Sequence, residues 1–325
     1  MADCAFDKLF TRSVPHILER IFFSLDHDSF KASQMVCKAW NELHSSESYQ
    51  QKAKELLKEK RENEKNLCYF SHYGIAKKVA NLLATGVNVN CVFKEKRNTP
   101  LLYATRNGHL DVVKMLLSSG AEPNKAEKNG CYPLHLAAFR GSTEMVKMLL
   151  DAGAGTRTAN KDGVTPLKYA ANKGHTNVVK LLLNSGADPR KVDNYGVTPL
   201  HDAAITGNTE MVKTLLEAGA DSNVADRDEI TPLQQAVWEN HIGVVDLLLK
   251  AGADPNKKNI WGKSPLDTAH RKNHMDVAHL LIEAGAKGKI KGPKRVCVCV
   301  CNYTPCVCYC TPYESYCHPL SYEVW

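Results

Sequence analysis

No stretch of the chain holds ~18 uninterrupted apolar residues, which excludes a conventional membrane-spanning helix. The opening MADCAFDKLF carries Asp3 and Asp7 where a secretory leader would have a basic region and an apolar run. A cytoplasmic or nuclear protein is therefore expected. Catalytic signatures are missing as well: there is no Gly-rich phosphate loop, no nucleophile elbow and no convergent set of carboxylates and histidines. Neither enzymatic activity nor a cofactor is expected. Cysteine is scarce over most of the chain, with five residues (Cys4, Cys37, Cys68, Cys91, Cys131) in the first 296 and seven in the last 29. Scattered thiols fit a reducing compartment. The formal net charge is +7, but five basic residues fall within Lys287–Arg295 (KGKIKGPKR), so the excess is local. Neither a nucleic-acid nor a membrane partner follows from it. That short basic run reads as linker or as a nuclear signal.

What is present is self-similarity. Thr99-Pro100, Tyr132-Pro133, Thr165-Pro166, Thr198-Pro199, Thr231-Pro232 and Ser264-Pro265 recur at steps of 33 residues, and a Gly-Ala turn keeps the same period. Each position has a physical reason. Thr can cap a helix, Pro suits its first turn, and the Leu that follows starts a buried stripe. Small pairs such as Ala137-Ala138 permit close helix approach, and Gly108, Gly141, Gly174 and Gly207 supply a left-handed helix end. Asn240 and Asn273 stand at that place in the last two repeats, and Asn is the non-glycine residue best suited to it. A second helix follows with the spacing of Val178, Val179, Leu181, Leu182 and Leu183. The pattern resembles ankyrin repeats, whose T-P-L-H-x-A string stands as TPLHDAA at 198–204 and nearly so as YPLHLAA at 132–138. Residues 67–90 repeat the spacing without Thr-Pro, which makes seven units with the first degenerate. The resemblance implies an all-α solenoid with short β-hairpin loops, spanning 67–288, and a role in holding another protein.

Residues 10–46 do not share this period. Ile17, Leu18, Ile21, Phe22 and Leu25 form one apolar helix face begun by Pro15; Asp26 or Asp28 can cap a second helix carrying Phe30; Val36, Trp40 and Leu43 mark a third. Three such helices make little core by themselves, which leaves apolar surface for a partner. The segment resembles an F-box, on Ile17-Leu18, Ile21-Phe22, Leu25-Asp26, Phe30 and Val36-Cys37-Lys38-Ala39-Trp40 without a gap. It departs from that pattern at Ser13, Val14 and His16, with Pro15 displaced by one place. The resemblance implies docking of a Skp1-type adaptor, and through it a cullin complex, by Pro15, Ile17, Leu18, Ile21, Phe22, Val36, Cys37 and Trp40. Taken from the residues alone, an amphipathic cap on the solenoid remains open. Cys37 has no His or acidic partner nearby in sequence and reads as a small buried hydrophobe.

Residues 47–66 balance six basic against five acidic side chains, with Lys58/Glu62 and Lys60/Glu64 at helical spacing. Either a solvated helix or a flexible spacer meets that composition. The loops between repeats carry KEKR at 94–97, KAEK at 125–128 and RKVD at 190–193. The loop at 226–229, DRDE, is acidic instead; candidate target-binding residues are Lys94, Lys96, Arg97, Lys125, Lys128, Tyr195, Arg227 and Trp261, with the early repeats expected to receive an acidic or phosphorylated segment of a protein partner. His270 and His274 have ligand-like spacing, but the helix break at Asn273 separates them and both read as solvated. His135 and His201 belong to the repeat itself.

The tail 289–325 turns from basic to Cys-rich. Its VCVCVC run matches a translated alternating-nucleotide repeat, while Cys-x-Cys spacing also suits soft metals. The two resemblances imply a substrate-receptor subunit of an SCF-type ubiquitin ligase, with an ankyrin scaffold or transcriptional co-regulator as the alternative.

Overall fold

The computed structural model describes residues 47–92, 97–288, 295–301 and 304–310. The chain divides into two compact units, Met1–Lys65 and Asn66–Trp325. Helix α1 (Glu47–Tyr73) includes residues of both. Its first part has little to bury: residues 54–62 are exposed, Leu56 and Leu57 among them, and Glu62 pairs with Lys65 at 3.5 Å. So residues 47–66 are helical, one of the two forms their composition allowed. In the second unit the same helix turns apolar, and Leu67, Cys68 and Ser71 are buried.

From there the chain builds helix pairs. α1 is followed by α2 (Ala76–Ala84), and six pairs come after it: α3 (Pro100–Asn107) with α4 (Leu110–Ser118), α5 (Pro133–Arg140) with α6 (Thr143–Asp151), and α7 (Pro166–Asn172) with α8 (Thr176–Asn184). Then come α9 (Pro199–Thr206) with α10 (Thr209–Glu217), α11 (Pro232–Trp238) with α12 (Ile242–Lys250), and α13 (Pro265–Lys272) with α14 (Met275–Glu283). Residue chemistry sets each start. The hydroxyls of Thr99, Thr165, Thr198, Thr231 and Ser264 accept the amide three residues on, at 3.2–3.4 Å, with Pro in the first turn. Tyr132 has no such cap, and its own N–H donates to His135 Nδ1 at 3.3 Å.

The small residues and Val pairs meet in one continuous core, where Ala137, Ala138, Val146, Ala170, Ala171, Val179, Ala203 and Val212 are fully buried. The first helices end at left-handed residues, from Gly108 (φ 83°) to Asn240 and Asn273 (both φ 61°). Gly141 is needed on two counts: φ is 76°, and a Cβ there would meet the His175 ring at 2.5 Å.

The loops between pairs are tighter than the expected β-hairpins. Asn160, Asp193, Asp226 and Asn259 each close a turn with two backbone bonds, the N–H donating to the carbonyl four residues on at 3.0–3.1 Å and the carbonyl accepting the amide three residues on at 2.8–3.1 Å, while their side chains accept further amides. One bond per step joins successive turns, as from Asn194 N–H to the Asp162 carbonyl at 2.9 Å. Because this pairing stays within the five residues of each turn, no extended ladder forms there among the described residues. Extended backbone occurs instead in the tail, where β1 (Arg295–Cys301) pairs antiparallel with β2 (Thr304–Cys310) and sets Cys297 opposite Cys308 and Cys299 opposite Cys306.

Candidate binding surface

Repetition turns a single residue position into a row. In three of the strings the fourth residue is buried and reaches the next turn: His135 Nε2–H donates to the Val164 carbonyl, His201 Nε2–H to Ile230, and Gln234 Nε2–H to Lys263, all at 3.0 Å. Burial pushes the His135 pKa down to about 4 and lowers that of His201 too, so both are held neutral and structural. At Lys168 the same position carries a charge. Its Nζ lies 2.6 Å from Asp202 and 3.3 Å from Asp193, and Asn172 Nδ2 donates to the other Asp202 oxygen at 3.1 Å. These side chains are spent on holding repeats together.

Another set of histidines ties four of the repeats to the one before. His109 Nε2–H donates to the His72 carbonyl, His175 to Phe139 and His241 to Ile205, at 2.9–3.1 Å. His274, expected to be solvated, is half-buried and bonds the Val237 carbonyl through Nδ1 at 2.9 Å, because it stands at this same repeat position. His270 lies on α13, before the left-handed Asn273, so the two imidazoles do not share a helix. Among the described residues no group of three or more His, Cys, Asp or Glu is placed to hold a metal ion.

The eighth residue of each string faces outward; Arg106 pairs there with Glu127 and Asn172 with Asp202, while the apolar ones are left for solvent or a partner. It is Arg106, Phe139, Asn172, Ile205, Trp238 and Arg271 in successive repeats. Phe139, Ile205 and Trp238 are 46%, 40% and 42% exposed, large apolar groups that fold stability does not require at the surface. Cations cover the aromatic ones: Lys173 Nζ sits 4.7 Å from the Phe139 centroid, and over Trp238 stand Lys272 Nζ at 3.9 Å and the Arg271 guanidinium at 4.9 Å. Tyr169 meets Phe139 edge-on at 5.9 Å. Aromatic faces flanked by cations suit a segment carrying apolar anchors and carboxylates.

The loop residues fare unevenly. Lys94 and Lys96 lie outside the described residues, as do the F-box-like positions Pro15, Ile17, Leu18, Ile21, Phe22, Val36, Cys37 and Trp40. Arg97 is exposed on a left-handed backbone (φ 53°), Lys125 pairs with Glu122 of its own loop at 3.3 Å, and Lys128 is exposed. Tyr195 and Arg227 are brought together, the guanidinium 5.7 Å from the ring centroid, and Trp261 stands 60% exposed at the repeat position that Tyr195 occupies. Sequence reasoning missed Phe139, Ile205, Trp238 and their cations. The available signal was the 33-residue alignment itself, in which an otherwise polar position turns apolar three times.

Comparison with known proteins agrees with this geometry. A family model described as ankyrin repeats in three copies matches residues 43–127, 119–193 and 185–259, and another described as ankyrin repeats in many copies matches 239–282. The chain is 41% identical over 54 residues to the palmitoyltransferase Hip14 of Drosophila melanogaster, covering 17% of this chain and 8% of that protein. An ankyrin repeat-containing protein of Saccharomyces cerevisiae is 48% identical over 59 residues, 18% of this chain and 11% of that one. The 2-5A-dependent ribonuclease of Mus musculus is 34% identical over 76 residues, 23% of this chain and 10% of that one. The chain thus matches about a tenth of the length of these relatives, and the enzyme names among them are matched through repeats alone. Among the described residues no helix is long and apolar enough to cross a membrane.

Proposed function

The chain belongs to the ankyrin-repeat family, whose members engage other proteins, and on that premise we propose that it is a substrate receptor of an SCF-type ubiquitin ligase. In this reading the array holds a target, and the segment around Ile17–Trp40 docks a Skp1-type adaptor and its cullin. Other subunits transfer ubiquitin, so the chain contributes proximity: it raises the effective concentration of target lysines near the loaded carrier. The observation that carries the target-holding half is the row of cation-covered aromatic residues, Phe139 with Lys173 and Trp238 with Arg271 and Lys272. The adaptor-docking half is supported by the gapless string ending in Val36-Cys37-Lys38-Ala39-Trp40. The loop cations Lys94, Lys96 and Arg97 extend the target site toward acidic or phosphorylated segments.

A second reading, an ankyrin scaffold without a ligase, draws on the family match beginning at residue 43, which takes the charged helix into the repeat region. Affinity purification of the intact chain from cells separates the two. An adaptor and cullin that co-purify, and are lost on the double change Ile21→Ala, Trp40→Ala, support the receptor. Their absence from the intact chain supports the scaffold.

A further inference from the structure

We propose that Cys68 and Cys91 are a covalent modification site: on exposure to a peroxide they join as an intramolecular disulfide. The two residues come from different elements, α1 and the loop after α2, and are 23 positions apart. Their sulfurs nevertheless lie 3.8 Å from each other, in van der Waals contact. A disulfide bond is about 2.05 Å long, so the remaining gap is one for side-chain rotation and small local adjustment to close. Both residues are buried, at 4% and 5% exposure, so neither thiol is presented to a thiol of another protein. The pairing that burial favours is the internal one.

Cys131 provides a contrast inside the same fold. Its sulfur lies 3.7 Å from Asn160 Nδ2 and 3.9 Å from the Tyr169 hydroxyl, and burial pushes its pKa up. Those neighbours offer an amide and a phenol, with which no disulfide can form.

The chemistry balances with the peroxide as two-electron oxidant. One thiolate attacks the O–O bond, which breaks to give a sulfenic acid and hydroxide; the hydroxide takes the proton that the thiol has lost and becomes water. The second thiol then attacks the sulfenic sulfur, the S–O bond breaks, and a second water leaves with its proton. Two thiols and one hydrogen peroxide yield one disulfide and two waters. Next to the buried Cys91 in the chain stands Val92, 49% exposed, so little of the fold separates this end of the pair from solvent. The product ties the buried end of α1 to the chain entering the Thr99 repeat, with α2 enclosed in the loop it closes.

Peptide mapping of the full chain tests this. Reduced protein, freed of reductant, is treated with hydrogen peroxide, its remaining thiols are alkylated, and it is digested with trypsin without reduction. Cleavage after Lys65, Lys77, Lys78 and Lys94 puts Cys68 and Cys91 on separate peptides, 66–77 and 79–94. The expected result is a linked pair of these peptides, lighter than their sum by two hydrogens, that separates on reduction and persists in Cys131→Ser. Alkylation of both cysteines after peroxide treatment, conversion of either to a sulfinic acid, or linkage of either to a tail cysteine would overturn the proposal. Because the readout is made on the unsubstituted chain, a folding defect in a Cys68 variant cannot obscure it.

Discussion

Lys168 Nζ lies 2.6 Å from Asp202 Oδ2, joining the first helices of two successive repeats through an ion pair with almost no contact with water. Asp193, 3.3 Å away in the turn between them, shares the same ammonium. A histidine at that position, as in the neighbouring repeats at His135 and His201, would bond a carbonyl instead. The charge therefore came with its own counter-ions.

Lys168→Met should cost about 3–5 kcal/mol, because it leaves two buried carboxylates without their cation. Adding Asp202→Leu should return a large part of that loss by removing one of them. Urea midpoints of the single and double variants measure this, and a single variant within about 1 kcal/mol of the parent would show that the site takes up water freely.

His135 predicts a pH dependence with a definite sign. Its pKa is about 4 in the fold, chiefly through burial, against about 6.5 unfolded, so the unfolded chain binds the extra proton first. Stability is complete above pH ~6.5 and falls as pH drops toward ~4, by about 2 kcal/mol between pH 7 and 5. Gln234 makes the same two bonds without titrating, accepting the Thr231 amide at 3.3 Å and donating to Lys263 at 3.0 Å. His135→Gln should accordingly flatten the profile over this range, read from denaturation midpoints across pH.

Two glycines with similar backbone angles should respond differently to alanine. Gly153 (φ 86°) faces open space, so Gly153→Ala should cost only the left-handed strain of about 1–2 kcal/mol. Gly141→Ala carries that strain and also displaces His175 from the Phe139 carbonyl, so its loss should be distinctly larger. Equal thermal shifts for the two variants would mean that the His175 bond contributes nothing.

Binding and stability should separate at the exposed row. Trp238→Ala and Phe139→Ala remove large apolar groups that are nearly half exposed, and each should shift stability by less than about 1 kcal/mol. Each should weaken capture of a protein target by ten-fold or more if the row is a binding centre. Titration of an identified target against the purified variants decides it, and unchanged affinity in both would move the binding surface elsewhere.

Much of the architecture was legible from residues alone. The Thr-Pro period located the helix starts, and the Gly and Asn positions located their left-handed ends, because caps and φ are local properties that a short string specifies. The binding surface was less legible. Arg97, Lys125 and Lys128 were chosen for charge, yet Lys125 is engaged by Glu122 from its own loop, and charge by itself does not reveal such pairing. Phe139 and Trp238 went unnoticed because an aromatic residue within a helical string reads as core until its exposure is known.

The sequence by itself determined the repeat, the six recurrences of the Thr-Pro-type string and the hydroxyl caps at five of them, since these follow from periodicity and from backbone preferences within a few residues. Tertiary structure decided everything that joins residues a repeat apart. It brought Lys168 to Asp202, His175 to Phe139 and Lys272 over Trp238, and within the first helix pair and its loop it set Cys68 against Cys91. The pairs between repeats lie 34 to 36 positions from each other, and only the stacking of one helix pair on the next gives them a common location; the two cysteines, 23 positions apart, meet because the chain folds back after α2.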